Sequence, residues 1–577
     1  MADEQNKRNG TSLETHVTEA DMEKSDVNSA TIAPPEANLD NFSPYDISTA
    51  PKIISGLPPE IWTIIQAAPA KFPPQYFLDV SRNLLENPNL TASHLARAEL
   101  SYQSFADATY NPKATTPEDL ASIVKHLRPE CQPRLVEGGV EGYDLEWTVV
   151  RKLIPRNPNL DKPMMQTCHL YTSTQAIAIT TPAGQEETVQ AERYLVIYIP
   201  HAEAPEDIPF YHPTVRSLGI LYTYLPNQSI LPSPGTLSIH FAFFPTHPLD
   251  TRLTRTALML LQIIHKHAKG RQAGYKKRVH HDVIIPQKRF QDTYAYLKGK
   301  YAKALIDGWV EQTPPEKHVF EDLGIAAFLI ELWRDMYGST TFPGFVDIGC
   351  GNGVLVYILN AEGWNGWGFD ARRRKTWATF GEDKDRVKEM LLVPRVLGER
   401  DGDAAAVEHD GVFPRGTFVV SNHADELTPW TPLIASLSRS PFIAIPCCSH
   451  DFGGARTRAP VHRKYVQEDP NVMGKKENKQ PSAYAGLCSW VSHLTESMGY
   501  KVEKEHLRIP STRNIAILGR SRLGDDEVDG EEGLEERLGI TREVVEKEMG
   551  ESTTIEQVRS MWMRSGGDLM KSGKSGH

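Results

Sequence analysis

The chain has 577 residues, 40% of them hydrophobic, enough for two or three domains with real cores at about 150 residues each. No apolar run approaches the ~18–20 residues that span a bilayer. The start, Met1-Ala2-Asp3-Glu4-Gln5-Asn6-Lys7, resembles neither a secretory signal nor a transit peptide, and six cysteines in this length make no disulfide scaffold. A reduced setting, cytoplasmic or nuclear, is therefore expected. The formal charge of −11 is uneven: residues 1–50 and 523–577 carry −7 each, leaving 51–522 at +3, which permits an anionic partner for the middle of the chain.

Residues 1 to about 55 are polar, acidic and aperiodic, and read as a disordered tail. Order is expected from near Leu57, in a mixed α/β domain over 56–300. Within it, Arg193 to Ala202 and Thr236 to Pro245 read as strands, being rich in β-branched and aromatic residues. A helix follows, with Leu253, Ala257, Leu260, Leu261 and Ile264 on one face, Asp250 or Thr251 as its cap and Gly270 at its end. A second helix runs from Glu316 to Gly338. Over 301–522 short strands then alternate with helices: Phe345–Ile348, Gly366–Phe369, Phe418–Val420 and Phe442–Ile445, with a further strand near Leu391–Val393 and a helix over Ala483–Met498. This rhythm implies a parallel sheet. Val502–Ile509 and Arg513–Leu518 add an antiparallel hairpin at its end. Residues 523–577 read as an acidic tail, partly helical or disordered.

Phe345 to Leu359, FVDIGCGNGVLVYIL, joins a strand to a helix through three glycines at alternate positions. The dinucleotide fingerprint G-x-G-x-x-G fails, because Val354 stands where its third glycine belongs. Asp347, directly before the turn, would be awkward beside a pyrophosphate and suits a cation. S-adenosylmethionine carries an ammonium and a sulfonium and no phosphate. Asp347 is expected to orient its methionyl end, Gly349, Gly351, Asn352 and Gly353 to lie against the adenosine, and Asp370 to accept both ribose hydroxyls.

The segments EKHVFEDLGIAAFLIELW, FVDIGCGNGVLVYIL, GWGFDARRRKTW, SNHADELTPW, IPCCSHDF and LRIPSTRNIAILG together resemble the tRNA (uracil-2′-O-)-methyltransferase family. The resemblance covers roughly 280–520 and is weaker from about 140 to 280. It implies an α/β class I (Rossmann-like) methyltransferase sheet, S-adenosylmethionine as cofactor, and a tRNA substrate. The methylated residue would be the uridine at position 44 of serine tRNA, in the cytoplasm. The N-terminal domain is expected to help grip tRNA. An accessory protein and the oligomeric state are left open.

In such a fold the acceptor lies beyond the fourth sheet strand, here at Ser421-Asn422-His423-Ala424-Asp425-Glu426. A ribose hydroxyl is a very weak acid and needs a proton acceptor. Asp425 or His423 is expected to be that acceptor, Glu426 to orient one of them, and Asn422 to touch the cofactor. The competing reading is that Asp425 and Glu426 cap a helix starting near Leu427. Cys447, Cys448, His450 and Asp451 lack the spacing of a structural zinc site, so no metal is expected and the cysteines are taken to line the acceptor pocket.

Residues 251–281 hold eight Lys/Arg and four His with no acid. Lys266, Lys269, Arg271, Lys276, Lys277, Arg278, Arg463, Lys464, Arg508 and Arg513 are the candidate RNA contacts. Tyr275 and Tyr465 are candidates to stack on an unpaired base. Two alternatives remain: a class I methyltransferase acting on another RNA position, a base or a protein, and a non-catalytic RNA-binding scaffold.

Overall fold

The computed structural model of the chain describes residues 42–157, 160–180, 184–226, 231, 233–275, 281–398, 408–466, 481–524, 530–550 and 552–570. They fall into two compact units, one ending at Tyr275 and one beginning at His281. The boundary expected at residue 300 instead falls inside a helix of the second unit. Lys276, Lys277 and Arg278 lie outside the described residues.

The first unit carries β1 (Lys52–Ile53), β2 (Trp62–Ala70), α1 (Pro74–Glu86), β3 (Leu95–Gln103), β4 (Asp144–Pro155), β5 (Met164–Ser173), β6 (Ala176–Thr180), β7 (Glu186–Gln190), β8 (Glu192–Pro200), β9 (Ser217–Tyr224), β10 (Gly235–Ala242) and α2 (Thr251–Gln272). Seven strands form one antiparallel sheet in the order β2-β10-β9-β8-β5-β4-β3. The apolar stripe of α2 (Leu253, Ala257, Leu260, Leu261, Ile264) and Phe77 and Leu84 of α1 share a core with the sheet residues Leu237, Ile239 and Phe241. Asp250 caps α2 by accepting the Leu253 N–H at 2.6 Å. The helix runs past Gly270, and the left-handed turn falls at Gly274, φ +77°. Residues 42–55 are not disordered: Phe42 meets His265 edge-on, Tyr45 N–H donates to Ala67 O, and β1 pairs with β6.

The second unit begins with α3 (Gln287–Asp307) and α4 (Pro315–Tyr337). Its strands are β11 (Phe345–Ile348), β12 (Gly366–Asp370), β13 (Val387–Glu389), β14 (Leu391–Leu392), β15 (Glu408–His409), β16 (Phe418–Asn422), β17 (Phe442–Ile445), β18 (Tyr500–His506) and β19 (Ile515–Arg522). Its further helices are α5 (Val354–Ala361), α6 (Trp430–Leu437), α7 (Ala483–Ser497), α8 (Gly530–Met549) and α9 (Ile555–Met570). The sheet order is β13-β12-β11-β16-β17-β19-β18, parallel except for β19, which runs antiparallel to both its neighbours. Strands β11 and β16 sit side by side although residues 349–417 lie between them in the chain, because the first three strands wind one way and the rest the other. That reversal opens a crevice at their carboxyl ends, where open α/β sheets take ligands.

The helices bury both faces of this sheet. Trp333 of α4 stacks on Phe345 and meets Phe418 edge-on, while Trp430 of α6 lies against Phe452 and Trp562. The 523–577 segment contributes to this core. Trp562 is 2% exposed and its indole N–H donates to Leu392 O, and Leu538, Val545, Ile555 and Val558 are buried with it.

Candidate active site

The turn after β11 is shaped by three left-handed glycines, Gly349 (φ +73°), Gly351 (φ +52°) and Gly353 (φ +78°). At two of them a side chain would be crowded as well as strained by φ. A Cβ on Gly349 would sit 3.1 Å from Ala424 Cβ, and one on Gly353 3.0–3.1 Å from Phe380 and Trp377. Gly351 faces open space. Asp370, at the end of β12, accepts the N–H groups of Gly351 and Arg372, both at 3.0 Å. Trp377 donates to Gly351 O at 2.9 Å, Thr376 to Asn352 O at 2.7 Å, and Asn352 Oδ1 receives the Val354 N–H that opens α5. The turn is thus held open before any ligand enters.

Acids surround it. Asp347 is 1% exposed and its Oδ1 has no hydrogen-bond partner. Burial pushes its carboxyl well above the usual range, and Asp322 and Asp370 push it further. Asp322, on α4, is pushed up to about 8 by burial and by Glu321, against the opposing hydrogen bonds of Asn352 and Asn422. Asn422 Oδ1 is also buried without a partner, while its Nδ2 reaches Asp322 Oδ1 at 3.3 Å. Unpaired buried carboxylates are expensive. A ligand bearing positive charge relieves them, and a phosphate would aggravate them, so the residues fit the ammonium and sulfonium of S-adenosylmethionine.

The end of β16 carries the acceptor side. His423 (φ +51°) and Asp425 (φ +42°) both adopt left-handed backbone, a strain that persists only where the surroundings enforce it. His423 Nε2 lies 3.0 Å from Glu321 Oε1, and its Nδ1 is buried without a partner. Burial pushes the Glu321 carboxyl up, but the hydrogen bond and charge of His423, with Ser511 and Lys317, outweigh it and hold Glu321 below the usual range. Asp425 Oδ1 accepts the Cys447 thiol at 3.0 Å. Glu426 faces His450, 3.7 Å away, rather than His423 or Asp425. Neither acid caps a helix: Asp425–Leu427 is a single 3₁₀ turn without a side-chain cap bond, and α6 starts three residues later behind Pro429.

Glu321 and Asp322 were missed from sequence. Both are over 90% buried on a helix that also carries Glu331, Arg334 and Asp335, so the sequence offered no signal that singled them out. Cys447 and Cys448 line an open cleft of about 380 Å³ with Arg456, Arg458, Tyr484 and Arg513. The Arg513 guanidinium stacks 4.5 Å from the Tyr484 ring centre. Asp425, Cys447 and Cys448 bring ligand atoms within 4.8 Å of one another. Burial pushes the Cys447 thiol up and Asp425 pushes it further, so the proton it donates to Asp425 stays in place.

The other candidate cations divide. Lys266, Lys269 and Arg271 lie in the last turns of α2, with Lys266 and Arg271 exposed. Arg463 is exposed in the 3₁₀ turn 463–465. Two of the candidates pair with carboxylates of the fold. Arg508 forms a two-pronged pair with Asp282 at 2.8 and 2.6 Å. Lys464 is held by Glu496 at 2.5 Å. The Arg508 pair is partly buried, whereas Lys464 stays largely exposed. Tyr465 is likewise bonded to Glu496, with Lys464 and Lys504 over its ring, whereas Tyr275 is 64% exposed.

Comparison with known proteins matches residues 40–278 to the family model described as TRM44-like, N-terminal bet v1-like domain. Residues 284–394 match the one described as predicted AdoMet-dependent methyltransferase. A tRNA (uracil-O(2)-)-methyltransferase of Neurospora crassa is 45% identical over 468 residues, 79% of this chain and 85% of that protein. One of Aspergillus oryzae is 37% identical over 591 residues, 89% and 93%. One of Schizosaccharomyces pombe is 41% identical over 414 residues, 68% and 76%.

Proposed function

The chain belongs to the tRNA (uracil-O(2)-)-methyltransferase family, and from that membership and the site's geometry we propose that it methylates the ribose 2′-hydroxyl of a uridine in tRNA. S-adenosylmethionine is the methyl donor. The observation that carries the proposal is the unpartnered, buried Asp347 Oδ1, with Asp322 and Asp370 pressing on it, beside an open glycine turn. The donor supplies a methyl group on a cationic sulfur, which leaves as a neutral thioether when the acceptor oxygen attacks.

Alignment and proton removal fall to this chain's side chains. The Glu321–His423 pair supports His423 Nδ1 as the atom that takes the hydroxyl proton, with Glu321 compensating the imidazolium that results. Asp425 already accepts the Cys447 thiol, which suits it to positioning the acceptor rather than to taking its proton. Asp347 and Asp322 hold the cationic end of the donor, and Asp370 keeps the glycine turn open for the adenosine. Arg456, Arg458 and Arg513 ring the cleft beside Cys447 and suit the phosphates flanking the target nucleotide. Lys266, Lys269, Arg271 and Arg463 are further phosphate contacts in this reading.

The finer reading is uridine 44 of serine tRNA, modified in the cytoplasm, in line with the motifs SNHADELTPW and IPCCSHDF. Among the described residues, no helix is long and apolar enough to cross a membrane. The test uses full-length protein, methyl-labelled S-adenosylmethionine and total tRNA from a strain lacking the enzyme, with mass spectrometry of the digested nucleosides and fragments. The expected product is 2′-O-methyluridine mapped to serine tRNA, absent with Asp347→Asn. Label on a base or on protein would sink the ribose assignment. Binding of tRNA and donor with no transfer would favour the scaffold reading.

A further inference from the structure

Three segments meet well away from the glycine turn in sequence. His462 follows β17 by a long connection, His493 lies on α7, and Glu548 sits in the last turn of α8. One nitrogen or oxygen from each lies within 4.8 Å of the other two. The two imidazoles stack nearly parallel, with centroids 3.9 Å apart and planes at 12°. His493 Nε2 is 3.5 Å from Glu548 Oε1. His462 Nε2 is buried and has no hydrogen-bond partner.

The surroundings hold these groups in place. The His462 backbone N–H donates to Ser489 Oγ at 3.1 Å. Trp490 Nε1–H donates to the second oxygen of Glu548 at 2.6 Å. A hydrogen bond to the outer oxygen of a carboxylate is the usual support for a metal-ligating carboxylate. Hydrogen bonding alone does not explain the arrangement, because stacked imidazoles offer each other no hydrogen bond and one buried nitrogen is left without any.

We propose that His462, His493 and Glu548 form a zinc-binding site that ties α8 to α7 and to the segment after β17. Two imidazole nitrogens and a carboxylate oxygen are a donor set zinc accepts, with bonds of about 2.0–2.2 Å and a fourth position left for water. Binding one ion requires the two stacked rings to turn, so that an in-plane nitrogen lone pair of each faces it. Lys547, next to Glu548, and Arg463, next to His462, oppose the ion's charge. The site has no part in the transfer reaction and does not rest on it. Its effect is on the C-terminal helices, since binding that favours the folded state stabilises it by mass action.

The test is the metal content of full-length protein purified without chelators. Wild type is expected to carry stoichiometric zinc by mass spectrometry of the metal. His462→Gln/His493→Gln and Glu548→Gln should lose it, whereas Cys447→Ser/Cys448→Ser should keep it. After stripping, added zinc chloride should raise the melting temperature of wild type and the cysteine variant but not of the histidine variant. Cobalt in place of zinc should give d–d bands with no thiolate charge-transfer band. Circular dichroism and S-adenosylmethionine binding establish that each variant is folded. Wild type that neither carries zinc nor shifts on its addition overturns the proposal. So does zinc that survives the histidine changes, or that is lost with the cysteines instead.

Discussion

Asp322 and Asp347 stand where neither ionises freely. For Asp322 the folded value is about 8 against an ordinary 3.8. The ligand-free fold therefore keeps a proton that the unfolded chain releases. Its stabilising contribution is full below pH 3.8 and is lost as pH rises to about 8. Cation binding requires the opposite, an ionised carboxylate. Affinity for S-adenosylmethionine should tighten with pH up to about 8, with proton release, and Asp322→Asn should flatten the slope. Calorimetry in buffers of different ionisation enthalpy measures both. Asp347→Asn should cost about 3–5 kcal/mol of binding, the usual loss for one partner of a buried charge pair. On the acceptor side, His423→Ala should lower kcat roughly 10²–10⁴-fold and leave donor affinity unchanged. Glu321→Gln should lower kcat by less, again without changing donor affinity. An equal loss of donor binding in the His423 variant would contradict the division of roles. The placement of Asp347, the glycines and Asp370 at the ends of β11 and β12 was legible because their spacing is local. Glu321 was not, because the sequence does not show which residue a buried acid meets.

Helix α4 delivers the two acids because it can come close to its neighbours. A Cβ on Gly324 would lie 2.8 Å from Ile509 Cγ2, so Gly324→Val should destabilise the protein by about 1–3 kcal/mol through overpacking. The same helix is fastened to α3 by Arg289, which pairs with Glu331 and Asp335. That explains why the domain boundary expected at 300 falls inside α3. The C-terminal helices were obscured by their charge. Leu534, Leu538 and Val545, then Ile555, Val558 and Trp562, repeat at helical spacing, but the acids of the opposite face dominate any count by composition. Trp562→Ala should cost about 3–5 kcal/mol, read as a lower urea midpoint at unchanged slope. A surface tail would show no change.

Net charge says little about this protein until it is located. The acidic ends account for −14, and residues 51–522 carry +3. Of the cations in that span, Arg508 and Lys464 pair with Asp282 and Glu496, while Arg513 faces the cleft beside Cys447. Each phosphate contact contributes about 0.7–0.9 to the slope of log affinity against log salt. Arg513→Ala should therefore weaken tRNA binding and reduce that slope by about one contact. Arg508→Ala should leave the slope alone and lower thermal stability. Filter binding over a salt series, beside thermal melts, separates the two.

Backbone preference and periodicity are local, so the sequence alone determined the glycine turn, the strand–helix rhythm, the apolar face of α2 and the place of Asp347 at the end of β11. Side-chain partnership is not local. His423 finds Glu321 across 102 residues, Arg508 finds Asp282 across 226, and Cys447 finds Asp425 across 22. The first pairing exists because the crevice opens where the strand order reverses between β11 and β16, and α4 brings Glu321 to its edge. Only the tertiary structure could decide which acids are left unpaired for a ligand and which cations are already taken.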